Sequence, residues 1–261
     1  MKKIFLFFLI FMCFYGQSQK PLITENIFDQ KQWVDSVYSS MSIDQKIGQL
    51  FTVWVATKYG DDEVKHISKL IKDHHLGGLI FSLGNIKDQA KAINKFQEIS
   101  KVPLLISMDA EWGIGMRLDD AFSFPYNMTL GAIKNDTLVY EVGKRIGYHA
   151  KRLGVHINFA PVVDINTNPR NPIIGSRSFG EDKFNVANKG ISYLKGMHEY
   201  GIMGAAKHFP GHGDTETDSH KTLPTISFDK DRINDVELYP FKKLIENNLD
   251  GIMTAHLNIP N

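Results

Sequence analysis

Residues 183–208 read KFNVANKGISYLKGMHEYGIMGAAKH, and this stretch decides which fold class the chain can adopt. Its first part, 183–200, has apolar residues at the spacing of an amphipathic helix. Gly201 follows where a helix usually ends, and 202–208 is a short apolar run typical of a buried strand. A helix followed directly by a buried strand indicates one repeat of an α/β fold with parallel strands.

The same alternation runs along the chain from about residue 30. The predicted strands are 49–56, 78–83, 102–109, 157–165, 202–208 and 251–257. The predicted helices are 61–74, 87–101, 136–153, 183–200 and 230–248, with Gly154, Gly201 and Gly251 as C-terminal caps. The strands are rich in Val, Ile, Leu and Phe without strict alternation, as expected for strands buried on both faces. Such a chain forms either an open doubly wound sheet or a closed barrel.

Polar residues at the strand ends favour the barrel. Asp109, Asp164, Lys207, His208 and His256 each fall at the C-terminal end of a predicted strand, where (β/α)8 barrels build their active sites. A doubly wound sheet would instead carry a glycine-rich turn after its first strand, and residues 57–60 do not form one. We therefore predict a TIM-type (β/α)8 barrel. Since six of its eight strands are predicted here, we expect residues 20–261 to be the N-terminal part of a longer barrel domain.

Charge and cysteine content narrow the possible functions. The chain has 30 Lys and Arg against 29 Asp and Glu, and no long block of one sign, so the sequence does not indicate binding to nucleic acid. Its one cysteine, Cys13, lies in the N-terminal apolar segment. We therefore expect neither disulfides nor thiol chemistry in the mature chain.

The first nineteen residues have the order of a secretory signal peptide. Lys2 and Lys3 precede an apolar run over residues 4–15, and small and polar residues follow at 16–19. The run is shorter than the roughly 20 residues that cross a bilayer, so a stable membrane anchor is not predicted. We expect export to the periplasm or the extracellular space.

The densest set of chemical groups follows the strand at 202–208. Residues 207–220 read KHFPGHGDTETDSH and include three histidines. Pro210 and Gly211 prevent a regular helix, which predicts a long loop at the C-terminal end of the strand. Loops of this composition usually bind a ligand or react with one.

Two kinds of chemistry fit this loop. The candidate ligands of a metal such as zinc are His208, His212 and His220 with Asp214 or Asp218. Alternatively, Asp218 and His220 can form an acid/base dyad, because residues i and i+2 in an extended segment point the same way. The carboxylate would then fix the tautomer of the imidazole. The residues alone leave both hypotheses open.

The loop also carries a family resemblance. KHFPGHGDT followed by DSH is similar to the signature of the β-N-acetylglucosaminidases in glycoside hydrolase family 3. Three other segments resemble the family: Ser107-Met108-Asp109 with Arg117, residues 158–164, and residues 175–180. The resemblance covers the chain from about residue 40 to its end.

The resemblance implies a role for each matching residue. His220 would be the acid/base residue and Asp218 its partner. The sugar would be bound by Asp109, Arg117, Arg177, Lys207 and His208. Asp164 and Arg177 can instead be interpreted as a structural ion pair. No metal or organic cofactor is implied.

The resemblance also implies an activity. The expected enzyme is a retaining exo-β-N-acetylglucosaminidase acting on peptidoglycan fragments or chitooligosaccharides. Its nucleophile would be an Asp of a later strand, beyond Asn261, so residues 20–261 alone are expected to be inactive. The alternatives are a β-glucosidase-type member of the family, a zinc-dependent barrel hydrolase and an inactive sugar-binding module. The DSH loop favours the first activity, because glucosidase-type members usually lack it.

Export has a direct test. We predict that the mature protein begins between Gln17 and Lys20, because small and polar residues there follow the apolar run, as at signal-peptide cleavage sites. N-terminal sequencing and intact mass of the exported protein measure this. Retention of Met1 in the exported fraction would show that the segment is not cleaved.

Overall fold

In the computed structural model, the described residues are 26–217 and 222–260, and within them six strands alternate with helices. The strands are β1 (Thr52–Val55), β2 (Gly78–Phe81), β3 (Leu105–Met108), β4 (Ile157–Asn158), β5 (Met203–Phe209) and β6 (Gly251–Thr254). The helices are α1 (Ile27–Ser40), α2 (Ile43–Gly48), α3 (Gly60–His74), α4 (Ile86–Ile99), α5 (Asn127–Gly131), α6 (Asp136–Leu153), α7 (Lys183–His198), α8 (Lys230–Arg232) and α9 (Tyr239–Glu246). Short 3₁₀ turns lie at Thr57–Tyr59, Ile114–Met116 and Gly175–Arg177, and a π-helical turn lies at Ile233–Glu237.

The strand order confirms the predicted barrel-type fold. The strands pair in the order β1-β2-β3-β4-β5-β6, and every pair is parallel. In a doubly wound sheet the order reverses at a switch point, whereas the strands of a (β/α)8 barrel follow one another around the axis. The C-terminal ends of all six described strands therefore lie along one edge of the sheet.

Close packing of α6 against α7 fixes the helical layer behind β4 and β5. A Cβ atom on Gly143 of α6 would lie 2.2 Å from the carbonyl oxygen of Tyr193. A Cβ atom on Gly196 of α7 would lie 2.2 Å from that of Tyr140. Only glycine at both positions allows the two backbones to approach so closely. The buried Tyr193 then reaches the segment after β3, where its hydroxyl lies 3.1 Å from the carbonyl oxygen of Glu111.

The observed ends of the helices agree in part with the ends predicted from the sequence. Four predicted helices match α3, α4, α6 and α7 within two residues, and Gly154 caps α6 with a φ of 82°. Gly201 also has a positive φ but lies three residues beyond the end of α7. The prediction for Gly251 is wrong, because this residue is the first of β6. Asn248, with a φ of 65°, makes the left-handed turn after α9 instead.

Two predicted elements are interrupted. Residues 157–165 were predicted as one strand, but the continuous pairing of β4 ends at Asn158, and after the cis Ala160–Pro161 bond a single parallel bridge joins Val162 to Lys207. Residues 230–248 were predicted as one helix, but the structure has α8, the π-helical turn and α9. Pro240 lies in the first turn of α9, a position that proline tolerates because no backbone N–H is needed there.

Three described helices, α1, α2 and α5, were not predicted. α1 buries no residue, and α2 and α5 are only six and five residues long, so none of them shows a strong apolar period. No helix in residues 26–217 and 222–260 is long and apolar enough to cross a membrane. The predicted signal peptide and the predicted pair Asp218 and His220 lie outside the described residues.

Candidate active site

The five predicted sugar-binding residues lie in one cleft at the C-terminal ends of the strands. The cleft has a volume of about 520 Å³. It is lined by Asp109, Glu111, Trp112, Met116, Arg117, Ile173, Arg177, Lys207, His208, His212, Met253, Thr254, Ala255 and His256. These residues belong to the ends of β3, β5 and β6 and to the loop after β4. Residues that are far apart in sequence therefore share one site.

Asp109 follows β3 and accepts hydrogen bonds from two cationic side chains. Its Oδ1 accepts a hydrogen bond from Lys207 Nζ at 2.7 Å, and its Oδ2 accepts one from Arg117 Nη2 at 2.9 Å. Arg117 Nε also donates to the backbone oxygen of Asp109 at 3.1 Å. The carboxylate keeps 22% of its surface exposed. Each carboxylate oxygen has a second lone pair, so Asp109 can still accept hydrogen bonds from a ligand.

Glu111 is the central residue that the sequence analysis missed. Its Oε1 lies 2.8 Å from Lys207 Nζ and 2.6 Å from Arg177 Nη2, and its Oε2 accepts from Arg177 Nε at 2.9 Å. Its side chain is 0% exposed, and that of Lys207 is 2% exposed. Burial alone would raise the pKa of Glu111, but Lys207 and Arg177 outweigh burial and lower the pKa from 4.5 to about 2. The sequence feature that could have identified Glu111 is its position at a strand end, two residues after Asp109.

His208 connects the cations to a second buried carboxylate. Its Nδ1 lies 2.6 Å from Asp164 Oδ2, and its Nε2 lies 3.3 Å from Arg177 Nη2. A carboxylate only accepts and a guanidinium only donates, so Nδ1 is the donor in the first contact. The carboxylate partner of Arg177 is Glu111, so the alternative of an Asp164–Arg177 ion pair is wrong.

Asp164 organises the start of the loop after β5. It is fully buried and accepts from the backbone N–H groups of His208 and His212, the latter at 2.7 Å. Burial by itself would raise the pKa of Asp164, but the His208 ring and these N–H groups lower it below its usual value. The segment after β4 thus contacts the start of the loop through this carboxylate.

The cleft presents polar groups of balanced charge to a ligand. Asp109 pairs with Arg117 and Lys207, and Glu111 pairs with Arg177 and Lys207, whereas Asp164 contacts the His208 ring. Beside them, the Trp112 ring makes an edge contact with Tyr126, with ring centroids 4.7 Å apart. Carboxylates that accept, cations that donate and an aromatic wall are suited to a neutral ligand with many hydroxyl groups.

The described candidate metal ligands have protein partners at several donor atoms, whereas His212 Nε2 is buried without one among residues 26–217 and 222–260. Both ring nitrogens of His208 have partners, and His212 Nδ1 lies 2.6 Å from Thr215 Oγ1. Asp214 Oδ1 accepts from Thr167 Oγ1 at 3.2 Å. In the part of the chain that the structure describes, no three His, Cys, Asp or Glu side chains come together as a set of metal ligands. Asp218 and His220 lie outside that part.

Comparison with known proteins places the chain in a family. Residues 42–261 match the model of the glycosyl hydrolase family 3 N terminal domain. The chain belongs to glycosyl hydrolase family 3. The resemblance found in the sequence is thereby confirmed. The roles of Asp109, Arg117, Arg177, Lys207, His208, Asp218 and His220 remain predictions.

Three relatives of this family 3 chain are informative. Beta-hexosaminidase A of Pseudoalteromonas piscicida is 35% identical, over 93% of this chain and 42% of the relative. The structure of a family 3 β-N-acetylglucosaminidase from Paenibacillus sp. str. FPU-7 is 39% identical with a TM-score of 0.78, covering 85% of this chain and 43% of that one. The structure of the β-glucoside phosphorylase BglX is 27% identical with a TM-score of 0.86, covering 94% and 43%. The chain thus spans less than half the length of these relatives.

Replacing Glu111 by Gln should change how stability depends on pH. The folded pKa of Glu111 is lowered to about 2, so its stabilising effect is complete above about pH 4.5 and is lost as the pH falls towards 2. The shift corresponds to a free energy on the order of 3 kcal/mol. Glu111→Gln should be less stable at neutral pH and should lose less stability on acidification.

Denaturant unfolding of the full-length protein at a series of pH values measures this difference. The free energy of unfolding of the wild type should fall more steeply than that of the variant across this pH range. Parallel pH profiles for the two proteins would contradict the assigned charge of Glu111.

Proposed function

We propose that the complete protein is a retaining exo-β-N-acetylglucosaminidase. Its substrates would be terminal β-linked N-acetylglucosamine units of peptidoglycan fragments or chitooligosaccharides, reached after export to the periplasm or the extracellular space. The observation that carries this proposal is the convergence of Asp109, Arg117, Arg177, Lys207 and His208 in one cleft. The names of the P. piscicida and Paenibacillus relatives support the choice of sugar.

The cleft residues bind the sugar in this proposal. Asp109 accepts hydrogen bonds from sugar hydroxyls, while Arg117 and Arg177 donate charged ones to sugar oxygens. Lys207 is fixed between Asp109 and Glu111, at 2.7 Å and 2.8 Å, so its ammonium group is already oriented before a ligand arrives. Groups that are fixed in advance lose little freedom on binding and can stabilise charge in the transition state.

The three carboxylates at the cleft already bind other groups of the protein. Glu111 and Asp164 have fully buried side chains, and both oxygens of Asp109 accept from cations. A carboxylate nucleophile must face the anomeric carbon with a free lone pair. We therefore do not assign the buried Glu111 or Asp164 as the nucleophile. The resemblance to family 3 supports sugar binding for Asp109, and we propose an Asp from a later strand of the complete protein as the nucleophile.

The acid/base role is proposed for His220, with Asp218 as its partner. In the first step the nucleophile bonds to the anomeric carbon, the glycosidic C–O bond breaks, and His220 gives its proton to the departing oxygen. In the second step water attacks the anomeric carbon, His220 takes its proton, and the ester bond to the nucleophile breaks. An imidazole suits both steps, since its ordinary pKa near 6.5 allows transfer in either direction.

A β-glucoside-directed enzyme is the second candidate. The chain superposes on the β-glucoside phosphorylase BglX with the TM-score of 0.86, although the identity is only 27%. We favour the amino sugar because the Paenibacillus β-N-acetylglucosaminidase is 39% identical.

The two candidates differ in the sugar they prefer. For the full-length protein, kcat/KM should be higher for an aryl β-N-acetylglucosaminide than for the matching aryl β-glucoside, because unpaired polar groups in a pocket are penalised by factors up to about 10⁴. Lys207→Ala should lower kcat/KM for both substrates, since it removes a group proposed to bind the common part of the sugar. Equal or faster hydrolysis of the glucoside would contradict the proposed sugar.

His220→Ala should impair substrates according to their leaving group. General acid catalysis is typically worth about 10²–10⁴-fold, so poor leaving groups should be slowed far more than activated aryl groups that need no proton. Asp218→Asn should show the same pattern more mildly, because the imidazole remains. The measurement is kcat/KM across a series of aryl and alkyl N-acetylglucosaminides.

A histidine–carboxylate pair outside the cleft provides the control. His198 Nε2 lies 2.7 Å from Asp250 Oδ2, and neither residue lines the cleft. Any loss from His198→Ala should be the same for every leaving group. If His220→Ala behaves like this control, the acid/base assignment fails.

A further inference from the structure

The first half of the loop after β5, residues 211–217, rests on the segment that follows β4. A Cβ atom on Gly213 would lie 1.8 Å from the carbonyl oxygen of Ile165, so the two backbones are in direct contact. Asn168 Nδ2 donates to the backbone oxygen of Asp214 at 3.1 Å, and Thr167 Oγ1 donates to its Oδ1 at 3.2 Å. The segment that follows β4 therefore packs directly against this half of the loop.

Asn171 makes the most central contact between the two segments. Its Oδ1 accepts from the backbone N–H groups of Ile173 and Ile174, at 2.9 Å and 2.8 Å. Its Nδ2 donates to the backbone oxygen of His212 at 2.7 Å and to Thr215 Oγ1 at 3.3 Å. The side chain is buried, and all the hydrogen bonds that an amide commonly makes are used. Exchange of its oxygen and nitrogen would break the three bonds to backbone groups, which fixes the orientation of the amide.

The oxygen and the nitrogen of the Asn171 amide bind two different segments of the proposed active site. On the oxygen side, the backbone runs from Ile173 and Ile174 into the turn that carries Arg177, whose Nη1 donates to the Ile173 oxygen at 3.3 Å. On the nitrogen side, Thr215 precedes Asp218 by three residues in the sequence. One side chain thus joins the sugar-binding arginine to the loop that leads to the acid/base pair.

We propose that Asn171 is a positioning residue that sets this loop relative to Arg177 and the bound sugar. The inference rests on the proposed function, in which His220 and Asp218 transfer the proton. Asn171 does not line the cleft, so it acts through its neighbours. Buried hydrogen bonds of this kind fix geometry strongly, because each unpaired group left behind is costly.

A surface contact between the same two segments provides a contrast. Arg170 Nη2 lies 2.6 Å from Glu216 Oε1, but the two side chains are 82% and 65% exposed. Exposed ion pairs are worth little, because solvent screens them and long side chains lose freedom. Arg170→Ala therefore removes a link between the segments without disturbing the buried amide.

The test is Asn171→Asp in the full-length protein. The variant keeps an oxygen for the N–H groups of Ile173 and Ile174 but can no longer donate to His212 and Thr215. Its kcat/KM for alkyl and other poor leaving groups should fall at least about tenfold further than for activated aryl groups, because misplacing the acid costs part of its 10²–10⁴-fold effect. Thr215→Val, which removes one accepting oxygen at nearly constant volume, should show the same pattern more weakly and serves if Asn171→Asp does not fold.

Asn185→Asp is the matched control for a structural role. Asn185 Nδ2 also donates to two backbone oxygens, those of Gly131 and Phe179, at 3.1 Å and 3.2 Å, but it forms no hydrogen bond with the described loop residues 211–217. Asn185→Asp should lower the Tm and affect all leaving groups equally, and Arg170→Ala should have little effect. Equal losses across leaving groups for Asn171→Asp and Thr215→Val would overturn the positioning role. A wild-type protein that does not hydrolyse aryl N-acetylglucosaminides would refute the proposed function itself, and the inference with it.

Discussion

A carboxylate that has no contact with solvent determines the geometry of the cleft. Glu111 binds Lys207 and Arg177 together, and each cation reaches a further residue, Asp109 from Lys207 and His208 from Arg177. Removing one member of such a buried set leaves an unpaired charge, which is strongly destabilising. Charge pairs, and not apolar packing alone, therefore join the ends of β3 and β5 to the loop after β4. The proposed sugar-binding residues are held in place by this buried set of contacts.

The sequence was sufficient for the features that depend on local pattern. Buried strands, amphipathic helices and polar residues at strand ends predicted the barrel and the positions of Asp109, Lys207 and His208. Glu111 was missed because its importance depends on Lys207 and Arg177, which approach it only in the folded chain. The buried Asn158 was also not predicted as a link between strands, since its partners, the N–H and the oxygen of Ala110, lie 48 residues away in the sequence.

The histidines of the motif show why residue type alone left two chemistries open. His208 and His212 are both potential ligands by type, yet their described partners are a carboxylate, a guanidinium and a hydroxyl. Those partners belong to other segments, Asp164 and Arg177 among them, and no spacing rule within the loop reveals them. Two different sets of contacts hold the residues of the two proposed roles. Binding groups are fixed by buried ion pairs at strand ends, and the loop leading to the proton-transfer pair is held by side-chain amides.

The grouping of opposite charges at the cleft has a consequence for how a ligand arrives. Among the described residues, Asp109 and Glu111 pair with Arg117, Arg177 and Lys207, and the Asp164 carboxylate lies next to them across the His208 ring. Three negative and three positive charges thus lie close together, and their fields largely cancel a short distance away. An approaching molecule is then neither attracted nor repelled at long range, and dissolved salt, which screens charges over about 8 Å under physiological conditions, has little left to screen. A neutral ligand of the kind proposed would make its contacts only after it has diffused into the cleft. Its binding through these groups should then depend little on the salt concentration.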